Sequence, residues 1–419
     1  MTSHAFTLFF VFFLVATLSA RLWLSLRQIR HVTAHKNHVP PQFAAVTSLS
    51  AHQKAAAYTR TKQRFGIFMM FIDAFVLLCF TLFGGLAYLA EQVLGITGPS
   101  MLYQLGLLVT FAIVSGLIGL PFDYYGQFVI EEKFGFNNMS PTLFFTDLLK
   151  SSVMSIIIGL PLAWLVLTIM AKAGDWWWVY AWILWTIFQL LMMVLYPTLI
   201  APLFNKFTPL QDNDLRTRIE DLLKRTGFTS NGLFVMDGSK RSSHGNAYFT
   251  GFGAAKRIVF YDTLISRLSV PEVEAVLAHE LGHFRLKHII KRITLMSIIS
   301  FGFLALLGYL KTQGWFYLGL GVSPSLTADN DAMALLLFAL TLPLFTFFFS
   351  PLLSIGSRKH EFEADAFASQ HANAEDLVSA LVRMYEDNAS TLTPDPLYSA
   401  FYDSHPPASI RIDRLLGKT

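Results

Sequence analysis

The sequence has almost no cysteine, since Cys79 is the only one among 419 residues. A single thiol cannot close an intramolecular disulfide or build a Cys-based zinc finger, so both of those classes are excluded. Charge is also scarce: Asp, Glu, Lys and Arg make up 14% of the residues, against about 25% in ordinary soluble domains. The net charge of +4 is modest, and the basic residues lie where membrane topology would put them, which argues against nucleic-acid binding.

Apolar residues dominate instead, at 53% of the chain with 39 Phe. No soluble fold buries that much apolar surface, which predicts a protein that crosses a membrane several times. The first apolar run exceeds the apolar core of a signal peptide and no small-residue cleavage site follows it, so we expect it to be retained. Seven spans are predicted, at residues 5–26, 67–89, 103–120, 152–170, 176–199, 293–310 and 332–355.

The loop after the first span fixes the predicted orientation. Lys and Arg in such loops hold them in the cytoplasm, which places the N-terminus outside. Residues 91–100, predicted to be the next outside loop, hold no Lys or Arg. The polar segment 122–138 is then predicted on the cytoplasmic side, either as an interfacial loop or as part of a site. The basic residues of the first loop are Arg27, Arg30, Lys36, Lys54, Arg60, Lys62 and Arg64.

His279, Glu280 and His283 form an HExxH pattern. A helix turns about 100° per residue, so the two histidines lie on one face, one turn apart. Two imidazoles placed in this way can bind one Zn²⁺, and Glu280 beside them can take a proton from water that zinc has made acidic. Because the pattern also arises by chance, it needs a third ligand before it indicates a metal site.

A helix around this motif is predicted independently. Ser269 and Glu272 form a possible capping box, with Pro271 in the first turn. We expect the helix to continue without a break into the sixth span, which keeps the motif at the cytoplasmic end of that span. On such a helix His288 lies about 180° from His279 and would not join the metal.

The third ligand is predicted directly after the seventh span. Glu361 and Asp365 are four residues apart there and share a helical face. This spacing suits Glu361 as a zinc ligand and Asp365 as the group that supports a ligating imidazole through its second nitrogen. Glu363 is a rival by residue type but lies about 200° from Glu361. The alternative to a metal site is a solvated charged helix.

Residues 201–268 predict a small cytoplasmic α+β unit, with a helix at 215–226 and strands at 234–236, 246–250 and 257–261, the last two around a turn at 251–256. Asn246 and Tyr248 would point to one face of a strand whose edge can pair with an extended peptide. Asn246 is equally consistent with a turn residue after Gly245.

The chain is predicted to have four parts. They are residues 1–200 with five spans, 201–288 with HExxH, 289–355 with spans six and seven, and 356–419 with the third ligand.

Taken together, these patterns resemble the integral-membrane zinc CAAX prenyl protease family, which belongs with the HExxH metallopeptidases whose third ligand is a glutamate. The resemblance covers nearly the whole chain in order. It is carried by residues 129–133, 135–137, 239–244, 246–249, 279–283, 357–361, 364–365 and 404–407.

The resemblance implies a mainly α, polytopic membrane protein whose seven spans enclose a chamber, with a small α+β zinc metallopeptidase domain. It implies one Zn²⁺ per chain and a peptide or protein substrate that is clipped near a lipid-modified C-terminus, within the lipid bilayer. The family's roles fall on these residues: His279, His283 and Glu361 as ligands, Glu280 as catalytic base, Asp365 behind a ligand, Asn246 and Tyr248 at the substrate strand, and His405 near the oxyanion.

The context of the motifs is closer to the bacterial branch of the family, because residues 39–54, the short outside loops and the brief C-terminal stretch match it. We therefore expect a bacterial cytoplasmic membrane, with the endoplasmic reticulum membrane as the alternative for a eukaryotic chain. Bacteria do not generally prenylate proteins in this way, so a general membrane-protein quality-control protease is the alternative enzyme. A seven-span carrier or scaffold with a structural zinc site is the alternative outside enzymes, and the base Glu280 argues against it.

Overall fold

The computed structural model describes residues 1–230, 232–250 and 257–417, without the side chains of 249 and 250. The turn predicted at 251–256 lies outside the described residues. Most of the described chain is helical. Its helices are α1 Ser3–His35, α2 Leu49–Phe80, α3 Gly85–Thr97, α4 Met101–Tyr125, α5 Glu132–Phe134, α6 Pro141–Lys172, α7 Trp177–Leu195, α8 Ala201–Phe204, α9 Asn213–Thr226, α10 Asp262–Ile265, α11 Val270–Arg285, α12 His288–Leu310, α13 Gly314–Leu318, α14 Asp331–Thr346, α15 Ser350–His371, α16 Ala374–Asp387, α17 Pro396–Tyr402 and α18 Ala408–Leu415.

Within the described residues, seven helical segments are long and apolar enough to cross a membrane, which confirms the predicted number. Several are longer than a bilayer requires. The first has 33 residues, about 50 Å at ~1.5 Å per residue, against a hydrocarbon core of about 30 Å. The first segment therefore extends beyond the hydrocarbon core, and α1 contacts the C-terminal helix α17.

Two predicted boundaries in the N-terminal half are wrong. The second span ends at Phe80 rather than Leu89, and most of the predicted outside loop belongs to α3, which follows a turn with Gly84 at φ +79°. The polar segment after the third span is helical rather than a loop. A π-helical turn, Gly126–Glu131, joins α4 to α5, and the helix stops only at Gly135, where φ is +78°.

The HExxH helix also differs from the prediction, because it does not run into the sixth span. It ends at Arg285, Lys287 adopts a left-handed φ of 59°, and α12 begins at His288. A non-glycine residue in this conformation costs about 1–2 kcal/mol, so tertiary packing rather than local preference sets the break. The change of direction brings His288 back toward the HExxH helix.

A four-stranded sheet has the order β1-β2-β4-β3, and it confirms the predicted small sheet while adding the strand β1. Strands β2 and β4 are parallel, and the other two pairs are antiparallel. Within the described residues β3 pairs with β4 alone, so β3 forms an edge of the sheet. The strands are β1 Phe207–Pro209, β2 Leu233–Met236, β3 Ala247–Thr250 and β4 Arg257–Tyr261.

One core holds the sheet against the HExxH helix. Ile219 of α9, Phe260 of β4, Leu277 of α11 and Leu381 of α16 are all buried in it. The helical spacing of apolar residues in α9 places them on this core and leaves its charged residues outside, as predicted for an amphipathic helix. The core therefore holds the HExxH helix from several sides.

The C-terminal segment is tied to the ends of the first two spans. Arg27 pairs with Asp395 at 2.9 Å, and the Asp395 backbone N–H donates to the Gln28 side chain at 2.6 Å. The Gln63 amide donates to the Tyr398 hydroxyl at 2.6 Å. These contacts hold α17, and the residues that follow it, beside α15.

Candidate active site

The helices α11 and α15 approach each other closely at Gly282. A Cβ at this position would lie 2.9 Å from the Ala364 Cα and 3.1 Å from the Ala364 carbonyl oxygen. Only glycine allows two backbones to come so near. Because of this contact, the turn of α11 that carries His279 and His283 lies next to Glu361 on α15.

The three side chains meet around one point. The Nε2 atoms of His279 and His283 are 3.2 Å apart. The Glu361 oxygens lie 3.5 Å from His279 Nε2 and 3.3 Å from His283 Nε2. Glu361 Oε2 is buried and accepts no hydrogen bond within the described residues. Two imidazoles and a carboxylate with an unsatisfied buried oxygen fit a single Zn²⁺ with an open position.

Asp365 fixes the orientation of His279. Its Oδ1 accepts from His279 Nδ1 at 2.8 Å and from Arg411 Nη2 at 2.6 Å, and its Oδ2 accepts from Arg411 Nε at 2.8 Å. In the neutral imidazole the proton of His279 therefore lies on Nδ1, which leaves the Nε2 lone pair for a metal. The buried Arg411 neutralises Asp365, and its Nη1 lies 3.5 Å from Glu361.

His279 is a strong base in this setting. Burial opposes its protonation, but the nearby carboxylates of Asp365 and Glu361 raise the pKa of His279 to about 9. Because a protonated imidazole cannot ligate, a cation that enters the site must displace a proton.

A cavity of about 540 Å³ opens beside these residues. Glu280, Asn246 and His405 line it together with His279 and Glu361. The HExxH glutamate therefore faces the same space as the ligand set, where it can reach a water molecule or a substrate. This arrangement is what hydrolysis by a general base requires.

His405 reaches the ligand carboxylate from the C-terminal segment. Its Nε2 lies 3.4 Å from Glu361 Oε1, and its Nδ1 is 3.0 Å from the Ser404 hydroxyl. The imidazole is more than half exposed toward the cavity. Its assignment to the oxyanion stays a prediction.

Asn246 and Tyr248 have different surroundings at the sheet edge. Asn246 is exposed immediately before β3, and its carbonyl accepts from the Tyr261 backbone N–H at 2.9 Å. Tyr248 is not among the residues that line the cavity; its hydroxyl lies 4.0 Å from the Met236 sulfur. Burial raises the pKa of Tyr248 to about 12. Both substrate assignments stay predictions.

Sequence patterns alone missed two features of the site. Arg411 could not be told apart from Arg414, whose guanidinium instead lies 4.5 Å from the centre of the Phe362 ring. The contact of His288 with His283, at 3.0 Å between the Nδ1 atoms, was also missed. This contact depends on the break between α11 and α12. A glycine or proline at the break would have predicted it from the sequence, but the residue there is Lys287.

Comparisons with known proteins match both halves of the chain. Residues 28–206 match the family described as the CAAX prenyl protease N-terminal part with five membrane helices. Residues 209–419 match peptidase family M48. The two matches together account for nearly the whole chain.

Individual relatives match over nearly their whole length. The chain is 37% identical to a CAAX prenyl protease 1 homolog of Arabidopsis thaliana, over 97% of this chain and 96% of that protein. It is 34% identical to CAAX prenyl protease 1 of Saccharomyces cerevisiae, over 96% and 93%. The crystal structure of S. mikatae Ste24p superposes with a TM-score of 0.93 at 33% identity, covering 98% of this chain and 99% of that one.

Proposed function

The chain belongs to peptidase family M48 with the membrane domain of the CAAX prenyl proteases, and from this premise we propose how its residues act. It is a multi-pass membrane metallopeptidase that acts on a peptide or protein. We propose that the metal is one Zn²⁺ held by His279, His283 and Glu361. The convergence of these three side chains beside Glu280 is the observation that carries the proposal.

The chemistry divides between the metal and the chain. When bound, zinc supplies a Lewis acid that polarises the scissile carbonyl and makes a nearby water acidic. Glu280 takes the proton of the attacking water and passes it to the leaving amine. His405 donates a hydrogen bond to the oxyanion that develops in the cavity. Asp365 holds His279 in the tautomer that leaves Nε2 free.

The substrate is proposed to be an extended peptide along the edge strand β3. Backbone groups of an edge strand can pair with such a peptide and extend the sheet. Asn246, at the start of β3 and on the cavity wall, would then contact the peptide near the site of cleavage. The names of the relatives indicate a prenylated C-terminal motif, and we propose a lipid-modified C-terminus as the substrate of this chain.

The proposed orientation follows from charge. The basic residues between α1 and α2 favour the cytoplasmic side, which places the N-terminus outside and the HExxH helix at the cytoplasmic face. A chamber between the spans would then admit the lipid chain from the bilayer. The bacterial cytoplasmic membrane and the endoplasmic reticulum membrane remain the two candidate locations, in that order of expectation.

The test is peptide hydrolysis by detergent-purified protein and by its Glu280→Gln variant. Each is given a farnesylated C-terminal peptide and its unlipidated twin, and bound metal is assayed in parallel. We expect one zinc in both proteins, cleavage by the wild type, and a loss of at least about 10²-fold in the variant.

Three other outcomes would contradict the proposal in different ways. Absence of bound metal would reject the ligand set. Stoichiometric zinc without cleavage of either peptide would support a structural zinc site. Equal cleavage of the twins would reject lipid selectivity and favour a general protease.

A further inference from the structure

In both imidazoles proposed to ligate zinc, the second ring nitrogen contacts another side chain, but the two contacts have different partners. His279 donates to Asp365, which Arg411 neutralises. His283 Nδ1 lies 3.0 Å from His288 Nδ1, and His288 Nε2 lies 2.9 Å from Glu363 Oε2. We propose that His288 and Glu363 form a hydrogen-bonded relay that orients His283 and strengthens its hold on the metal. This inference rests on the proposed zinc site and adds two positioning residues to it.

One arrangement of protons satisfies every contact in the relay. If His283 ligates through Nε2, its proton is on Nδ1, which donates to His288 Nδ1. His288 then carries its own proton on Nε2 and donates it to Glu363. Each contact has one donor and one acceptor, and both imidazoles are neutral, as a metal ligand and its support must be.

The burial of the relay suits this role. The His288 side chain is 4% exposed, whereas that of Glu363 is 35% exposed. The relay thus runs from the partly buried His283 through the buried His288 to the more exposed carboxylate of Glu363. The Lys359 ammonium lies 3.9 Å from Glu363 and is 76% exposed, a looser pairing than the two-pronged contact between the buried Arg411 and Asp365. Charge on the last member of such a relay makes the ligating nitrogen a better donor to the metal.

The backbone supports the same conclusion. The left-handed Lys287 ends α11 and starts α12, and this break turns His288 toward His283. On a continuous helix the two residues could not meet in this way. Strained backbone of this kind persists where the surrounding structure maintains it, and it clusters at functional sites.

A second metal site is the main alternative for this cluster. His288, His360 and Glu363 each offer an atom within 4.8 Å of the others. However, the rings of His288 and His360 are stacked at 4.0 Å with only 11° between their planes. A metal lies in the plane of the imidazole that binds it, so one ion cannot lie in both planes. His360 therefore serves as a stacking surface for His288 rather than as its co-ligand.

Three variants of His288 separate the relay from simple packing. His288→Asn keeps an acceptor where Nδ1 lies but does not reach Glu363. His288→Gln reaches Glu363 but offers His283 no acceptor, and His288→Leu offers neither. His360→Phe keeps the stacked ring without its nitrogens and is the matched control for a second metal.

The measurements are made on the full-length protein in detergent. Zinc affinity and stoichiometry come from chelator competition, and the visible spectrum of the Co²⁺-loaded protein reports ligand geometry. We expect zinc binding to weaken about 10–100-fold in His288→Gln and His288→Leu, with a changed Co²⁺ spectrum. His288→Asn keeps the acceptor for His283 but loses the contact with Glu363, so its zinc affinity should lie between that of the wild type and that of His288→Leu. His360→Phe should bind one zinc as the wild type does.

The outcomes distinguish this inference from the proposed function. Wild-type zinc affinity in His288→Gln would overturn the relay, as would a fall from two zinc ions to one in His360→Phe. If His288→Leu does not fold, the Asn and Gln variants decide the question alone. A protein that binds zinc in a His288-dependent manner but cleaves no peptide would keep the relay and reject the peptidase mechanism.

Discussion

At the scale of single residues, the site depends on which charges are buried together. Arg411 and Asp365 form a two-pronged contact behind His279, with both side chains less than a tenth exposed. A guanidinium makes this contact and an ammonium cannot, because lysine offers a single point charge. The pair therefore makes Arg411 a part of the proposed metal site, although Arg411 is not a ligand.

We expect Arg411→Lys to weaken zinc binding by about tenfold or more, because Asp365 loses part of its support. Arg414→Lys is the matched control, since Arg414 lies over Phe362 outside the ligand set. Zinc affinity by chelator competition measures both variants. Equal affinities in the two would mean that Arg411 has no special role.

The sequence predicted the residues whose relations are local. His279 and His283 share one helical turn, and so do Glu361 and Asp365, so periodicity alone brings each pair together. Arg411 and His288 could not be assigned in that way. Their positions depend on how α18 and α12 pack against α11 and α15, which no spacing within one helix encodes.

At the scale of elements, the contact between α11 and α15 at Gly282 sets the distance between the ligands. We expect Gly282→Ala to destabilise the protein by about 1–3 kcal/mol, as overpacking does, and to weaken zinc binding as well, because the added Cβ would press on the Ala364 backbone. Melting temperature and zinc affinity are the measurements. Gly302→Ala is the control in a helix, since its Cβ would meet nothing within 4 Å. Similar losses in both variants would contradict the role of the close approach.

The start of α11 makes a pH-dependent contribution. Glu272 closes the capping box with Ser269 and also accepts from Ser379 at 2.6 Å and pairs with Arg383 at 3.0 Å. Burial opposes its ionisation, but these partners lower the pKa of Glu272 below its usual 4.5. The stabilisation is therefore full above that value and is lost as the pH falls through the folded-state pKa.

Glu272→Gln keeps the shape of the capping box and removes the charge. We expect it to cost about 1 kcal/mol at neutral pH, and we expect the difference from the wild type to shrink as the pH falls below 4.5. Melting temperatures of both proteins across this range are the measurement. A difference that does not change with pH would contradict the assignment.

The two ends of α11 show why elements are only partly predictable. Its start was predicted and confirmed, because a capping box is read from adjacent residues. Its end was not, because Lys287 has no intrinsic preference for the left-handed region and packing imposes it. The same reasoning applies to β1, a short edge strand held by its pairing with β2.

At the scale of the whole molecule, the seven segments were predictable because apolar runs report directly on the bilayer. The ends of these helices were not predictable from hydropathy. A helix that leaves the membrane keeps its backbone hydrogen bonds whether its residues are apolar or polar, so the end of an apolar run does not mark the end of the helix. The orientation rests on loop charge alone and can be tested with cysteine labelling, because Cys79 is the only thiol to remove.

In a Cys79→Ser background, we expect Ser323→Cys to react with a membrane-impermeant maleimide in intact cells, because the loop after α13 is proposed to face outside. Thr217→Cys on α9 should react only after the membrane is permeabilised. Both positions are exposed, so access to solvent on each side decides the result. The reverse pattern would invert the proposed topology.

The division of the ligand set between α11 and α15 has a consequence for the order of synthesis. Two membrane crossings, α12 and α14, separate His283 from Glu361. A growing chain that has completed the HExxH helix still lacks its carboxylate ligand, and Arg411 follows later still. The proposed metal site is therefore incomplete until the last span has been made, and we expect a chain that is still being inserted to have no peptidase activity.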